Sequence, residues 1–93
     1  MITVRVPGPL RALTGGAGEV VLDAATVRSA LAALERAHPG VTTRVLDAAG
    51  AVHPFVRLFV GATDIGDLAG LDTVLADHDE LAIVPAIAGG ADA

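Results

Sequence analysis

Side chains able to act as nucleophiles, bases or metal ligands are few in this chain, and their spacing brings almost none of them together. There is one serine, Ser29, no cysteine and no lysine, all six basic residues being arginine. Without cysteine there are no disulfides, thiolate metal sites or thiol nucleophiles. Ser29 stands at the start of an apolar-periodic stretch, where the preference of serine for helix N-termini explains it without nucleophilic activation. The histidines His38, His53 and His78 fall in separate turns, with no two at a helical or hairpin interval. Asp77-His78-Asp79 is a run of neighbours in one turn, and adjacent residues rarely converge on an ion. Gly15-Gly16-Ala17-Gly18 has the glycine content of a phosphate loop but leads into a strand instead of a helix, and no Lys-Ser/Thr follows it. No catalytic side chain, metal ligand or bound cofactor is therefore expected.

What remains is backbone chemistry near the end of the sequence. Leu81-Ala82-Ile83-Val84 reads as a strand, and Pro85, which has no N–H for a ladder, is expected to stop its pairing. Ala86-Ile87-Ala88-Gly89-Gly90 would then leave the body as a tail. Glycine loses the most freedom on ordering and adds no apolar surface, so the pair suits a narrow site in another protein better than a core. Extended, residues 86 to 90 reach roughly 17 Å. Ala91-Asp92-Ala93 follow.

A single domain must position this segment. At 93 residues the chain supports one core, and with 53% hydrophobic but only 2% aromatic residues that core is expected to be Val, Leu, Ile and Ala, with Phe55 and Phe59 its only large rings. No apolar run is long enough for a membrane helix, and Met1 to Arg5 lacks the order of a signal peptide, so a cytoplasmic protein is expected. The net charge of −5 opposes binding to a phosphate backbone. Asp64, Asp67, Asp72, Asp77, Asp79 and Glu80 all follow the last arginine, Arg57, which predicts a negative field over the C-terminal half.

Taken in order, Ile2 to Val6 alternates as a half-buried strand, Leu10 to Leu13 is one helical turn, and Glu19 to Leu22 is a second strand closing an antiparallel hairpin. Thr26 is the N-cap of the main helix, with Val27, Ala30, Leu31, Leu34 and Ala37 on one face. His38-Pro39-Gly40 ends it. Phe55 to Val60 is the strongest strand, with Val56, Leu58 and Val60 on one face and Phe55, Arg57 and Phe59 on the other. Glu80 to Val84 is the last strand, after a tight turn at Asp77-His78-Asp79. One helix crossing a mixed sheet between strand pairs predicts an α+β, ubiquitin-like β-grasp fold over residues 1–85, followed by a flexible tail over 86–90 and an extension over 91–93.

The ordered set Thr26-Val27, Phe55-Val56-Arg57-Leu58-Phe59-Val60, Asp64-Ile65, Gly70-Leu71-Asp72-Thr73, Asp77-His78-Asp79-Glu80 and Pro85-Ala86-Ile87-Ala88-Gly89-Gly90 resembles the MoaD/ThiS family of ubiquitin-like sulfur carriers. The stretch Val6-Pro7-Gly8-Pro9-Leu10-Arg11-Ala12-Leu13-Thr14-Gly15-Gly16 is most similar to its CysO-type branch, which serves cysteine biosynthesis. The resemblance implies that the chain is a carrier and not an enzyme. The Gly90 carboxylate would be adenylated with ATP by an E1-like, MoeB/ThiF-type enzyme, converted with a sulfur donor to a thiocarboxylate, and used by a cysteine synthase or by the large subunit of molybdopterin synthase. Phe59 and Arg57 would help to dock the activating enzyme. Here Gly90 is followed by Ala91, so the resemblance also implies cleavage at Gly90-Ala91 by a zinc-dependent JAMM-type peptidase. A family glycine is replaced by His78, and a family asparagine by Gly61. Alternative readings are the small subunit of molybdopterin synthase, a protein modifier joined to target lysines and a non-covalent interaction domain.

Overall fold

Ile2, Val4 and Val6 alternate with Thr3 and Arg5. In the computed structural model of the chain, which describes residues 1–85, Ile2–Arg5 is strand β1. The expected tail, Ala86 to Gly90, and the expected processing site at Gly90-Ala91 lie outside the described residues. β1 pairs antiparallel with β2 (Glu19–Leu22), setting Ile2 opposite Leu22 and Arg5 opposite Glu19. Between them a 3-10 helix, Gly8–Thr14, carries Pro9 at its start and buries Leu10. The glycine run beyond it is a turn, as expected: Gly15 and Gly16 hold φ of 67° and 90°, and the Gly16 N–H donates to the Arg11 carbonyl at 2.7 Å.

Helix α1 (Val27–Ala37) starts in a capping box, where Thr26 Oγ1 accepts from the Ser29 N–H at 3.1 Å and Ser29 Oγ accepts from the Thr26 N–H at 3.0 Å. The single serine thus serves the helix start. Val27, Ala30, Leu31 and Leu34 are buried. Ala37, expected on the same face, is exposed, because at 3.6 residues per turn it falls roughly 70° from the centre of that stripe. The helix ends at His38, and a short helix α2 (Thr42–Val45) follows.

Glu35 holds this connection. Its carboxylate accepts from the Gly40 N–H at 2.9 Å, the Thr42 N–H at 3.1 Å and the Thr42 hydroxyl at 2.7 Å. These donors, Gly40 foremost, pull its pKa below the usual glutamate value. A carboxyl with a lowered folded pKa contributes stability that is complete above its unfolded pKa and is lost as pH falls through the folded one. Glu35→Gln is therefore expected to lower the urea midpoint at neutral pH, with the variant and native curves converging as pH falls through the lowered folded pKa. Parallel curves at every pH would show that the carboxylate charge is not what ties the loop.

β3 (Val56–Val60), β4 (Thr63–Asp64) and β5 (Glu80–Pro85) complete a five-stranded sheet in the order β2-β1-β5-β3-β4. β1 and β5 are parallel and the other pairs antiparallel, giving the mixed sheet that the element order predicts. The pairing of β5 does not stop before Pro85, which stands opposite Val56. Val56 gives its N–H to the His53 carbonyl at 2.9 Å, so no ladder donor is required of the proline. His78 takes φ 70° in the turn into β5, the left-handed conformation that favours the glycine it replaces.

The core lies between α1 and one face of the sheet: Ile2, Val4, Val6 and Leu22 from the hairpin, Leu58, Leu81 and Ile83 from the other strands, and Leu31 and Leu34 from the helix. It contains neither phenylalanine, contrary to expectation. Phe55 is 50% exposed, its ring 5.3 Å from that of His53, and Phe59 points to the opposite face of the sheet from Leu58. Among the described residues no helix is long and apolar enough to cross a membrane.

Candidate functional site

The sheet face away from α1 carries the one candidate surface that the sequence placed on named side chains. Residues opposite one another on neighbouring strands share a face, so the register builds a row Glu19, Arg5, Ala82, Phe59, Asp64 across all five strands. Arg57 and Val84 are paired beside it, nearer the end of β5. Phe59 and Arg57 therefore stand on the open face, as expected. Phe59 is half-buried among its neighbours, while Val84 is 39% exposed. An apolar centre of Phe59, Ala82 and Val84 with an arginine to either side has the composition of an interface: a hydrophobic middle and a charged rim.

Neither arginine is a bare cation. Arg57 pairs with Asp64 at 3.2 Å, and Arg5 lies 3.0 Å from Glu19 and 3.7 Å from Glu80. The Gly66 N–H, which donates to Asp64 at 2.8 Å, holds the Asp64 carboxyl below its usual pKa, and Arg57 adds to this. Arg28 likewise reaches Asp72 at 3.2 Å. Among the described residues, three of the six acids that follow Arg57 thus meet arginines, which softens the negative field expected over the C-terminal half. Solvent screens exposed pairs of this kind, so their effect is on the shape of the field more than on stability.

Ala82, Val84 and Arg5 are absent from the residues that sequence reasoning singles out. Strand alternation separates Ala82 and Val84 from the core positions Leu81 and Ile83, but only the placement of β5 between β1 and β3 joins them to Phe59. No local pattern specifies that placement. His38, His53 and His78 remain in three different connections, and among the described residues no three His, Asp or Glu side chains gather where they could hold a metal ion. β5 ends beside this face at Pro85, the last described residue.

Residues 4–90 match the ThiS family. The sulfur carrier protein CysO of Mycobacterium tuberculosis is 36% identical over 91 residues, covering 96% of this chain and 98% of that protein. The structure of the Amycolatopsis orientalis BexX/CysO complex contains a chain that superposes with a TM-score of 0.91 at 34% identity, covering 97% of this chain and 100% of that one. The small archaeal modifier protein 3 of Haloferax volcanii is 34% identical over 68 residues, 73% of each chain. These likenesses embrace the β-grasp body, and the family match ends at Gly90 itself.

Proposed function

This chain belongs to the ThiS family, and on that premise we propose that it is a sulfur carrier whose reactive group is the carboxylate of Gly90, freed by proteolysis. The observation that carries the reading is the coincidence of the end of the family match with the second glycine of Gly89-Gly90, in a chain whose side chains offer no other reactive constellation. In the precursor the Gly90 carbonyl is in an amide to Ala91. A zinc-dependent JAMM-type peptidase hydrolyses that amide, and the new carboxylate attacks the α-phosphate of ATP on an E1-like enzyme, forming an acyl-adenylate and releasing pyrophosphate. A sulfur donor then displaces AMP and leaves a thiocarboxylate. The carrier contributes reach and fit, and the enzyme contributes the chemistry.

The CysO likeness supports cysteine biosynthesis as the destination of the sulfur, with a cysteine synthase as acceptor; molybdopterin synthase is the other acceptor of this class. The BexX complex supports a carrier that works through a protein partner. The test is an intact mass spectrum after incubation with cell extract, ATP and a sulfur source. Loss of Ala91-Asp92-Ala93 followed by replacement of one oxygen by sulfur is expected, and an unaltered chain would overturn the proposal. A second reading, a modifier of other proteins, is favoured by the similarity to the archaeal modifier. It predicts larger conjugates in the same experiment, joined through Gly90.

Phe59 is the side chain on which docking of the activating enzyme is proposed to turn. Phe59→Asp is expected to weaken binding by about 30-fold or more, the scale of a desolvated aromatic anchor. Arg57→Ala is expected to cost only a few-fold, as Asp64 already engages the guanidinium. Titration calorimetry checks both, and equal small losses for the two variants would remove the open face from the docking proposal.

A further inference from the structure

At the end of β4 the Asp64 carboxylate is shared between the backbone and the open face. Its Oδ1 accepts from the Gly66 N–H at 2.8 Å, capping the 3-10 turn Ile65–Asp67, and its Oδ2 accepts from Arg57 Nη1 at 3.2 Å. The first bond fixes the place of the second. Gly66 stands so close that a Cβ on it would lie 3.3 Å from Oδ1, tighter than an ordinary contact, although its backbone has no left-handed φ to call for glycine. The Asp64 side chain keeps 25% of its surface exposed, against 63% for Arg57. The acid is thus the fixed member of the pair and the arginine the movable one.

The register decides what else the guanidinium can reach. Phe59 is two residues along β3 on the same face, and Asp64 stands directly opposite Phe59 on β4, so Arg57 and Asp64 form the diagonal pair that draws the cation toward β4. On the β5 side Arg57 stands opposite Val84. A guanidinium without its carboxylate is attracted to the face of an aromatic ring, and the methylene stem that carries it packs on apolar neighbours. Here those neighbours are Phe59 and Val84. Either seat covers the apolar centre of the open face.

We propose that Asp64 is a positioning residue of the open face, holding Arg57 on the β4 side and so keeping the Phe59 ring clear for a partner. The proposal rests on the reading of Phe59 as the docking anchor. It makes Asp64 matter more to docking than the arginine it binds. Loss of Arg57 leaves the ring open, whereas loss of the Asp64 charge frees a cation that competes with the partner for the ring. The two substitutions are therefore not additive, and removing Arg57 relieves the harm done by neutralising Asp64.

Asp64→Asn tests this, because the amide oxygen still accepts from the Gly66 N–H and the turn survives while the charge is lost. In NMR spectra of the free full chain, the variant is expected to gain cross-peaks between the Arg57 side chain and the Phe59 ring and to shift the ring protons. Adding Arg57→Ala is expected to return those protons to their shifts in Arg57→Ala alone. A Phe59 ring that keeps its native shifts in Asp64→Asn, with no cross-peak gained from Arg57, would overturn the proposal. In calorimetry with the E1-like activating enzyme, Asp64→Asn is expected to weaken binding about 5- to 10-fold, and the double variant to bind within about two-fold of Arg57→Ala. An equal loss from Asp64→Asn with and without Arg57 would overturn it too, by giving Asp64 a role that does not pass through the arginine. Unchanged binding by Phe59→Asp would instead remove the docking reading, and the ring shifts of the free chain would still decide the positioning.

Discussion

A chain ending at Gly90 is expected to support ATP–pyrophosphate exchange on its activating enzyme, while the same chain continued into Ala91-Asp92-Ala93 supports none. The difference is categorical because it lies in the identity of the attacking group. Adenylation requires a carboxylate oxygen with a full negative charge shared over two atoms. In the longer chain the same carbon belongs to a peptide bond whose nitrogen lone pair is delocalised into the carbonyl, leaving a neutral oxygen and no carboxylate. No rearrangement of the body supplies what is missing. Incubating the two chains side by side with enzyme, ATP and labelled pyrophosphate reads the result directly. Equal exchange with both chains would exclude Gly90 as the activated residue. Gly90→Ala in the shorter chain separates chemistry from access: the carboxylate remains, so failure of exchange reports a channel too narrow for one Cβ, and the unaltered melting of the variant shows that the body is untouched.

Composition also bears on the product of that step. An acyl-adenylate is open to attack by a thiol or an uncharged amine, with AMP as the leaving group. This chain carries neither on any side chain, since it has no cysteine and all six of its basic residues are arginine, whose guanidinium stays protonated. The activated end of one copy therefore finds no thiol and no lysine amine on another. For the carrier reading this removes the cysteine and lysine routes to self-acylation. For the modifier reading it excludes lysine-linked chains of the protein on itself while leaving other targets open.

Much of the fold is legible in the sequence because its signals are local. The alternation of Ile2, Val4 and Val6, the cap at Thr26 and the stripe of Val27, Ala30, Leu31 and Leu34 each act within a few residues, and all recur in the structure. The misplaced features depend on something distant. β4 is two residues long and exists only because β3 offers it an edge, so no run of Thr63-Asp64 could announce it. Pro85 extends β5 because its partner, Val56, directs its own N–H elsewhere. Phe55 and Phe59 are large and apolar, which made them core residues by composition, yet alternation about Leu58 turns Phe59 away from the helix, and Phe55 falls in the turn before β3, half exposed. The same register decides the candidate surface: Phe59 and Arg57 are readable from one strand, whereas Ala82, Val84 and Arg5 join them only through the order of the sheet. The assignment of Gly90 rests on resemblance and elimination, and the residue lies outside the described residues.

Leu31→Ala is expected to be the most damaging single truncation for the body, and it separates the part that folds from the part that reacts. Leu31 sits in the middle of α1 with 1% of its surface exposed, among Ile2, Val4, Leu58 and the other aliphatics of the single core. Removing its branched end costs the transfer energy of the lost carbons and leaves a hole that a close-packed aliphatic core closes only in part, a total of about 2–5 kcal/mol. Domains of this size are stable by about 5–15 kcal/mol, so the loss is a large share of the whole. With roughly 4–8 °C of melting temperature per kcal/mol, the midpoint falls by about 8–40 °C. Calorimetry at neutral pH measures it. Val84→Ala, at an exposed position on the open face, is expected to move the midpoint by far less. A Leu31→Ala chain that melts within a degree or two of the native protein would contradict the burial of α1 against the sheet. If the variant is studied below its midpoint, its Gly90 is expected to be activated at the native rate, because the folded fraction presents the same face and the same terminal carboxylate. Loss of activation in proportion to unfolding, and not beyond it, is the outcome that places the core and the chemistry in separate parts of the chain.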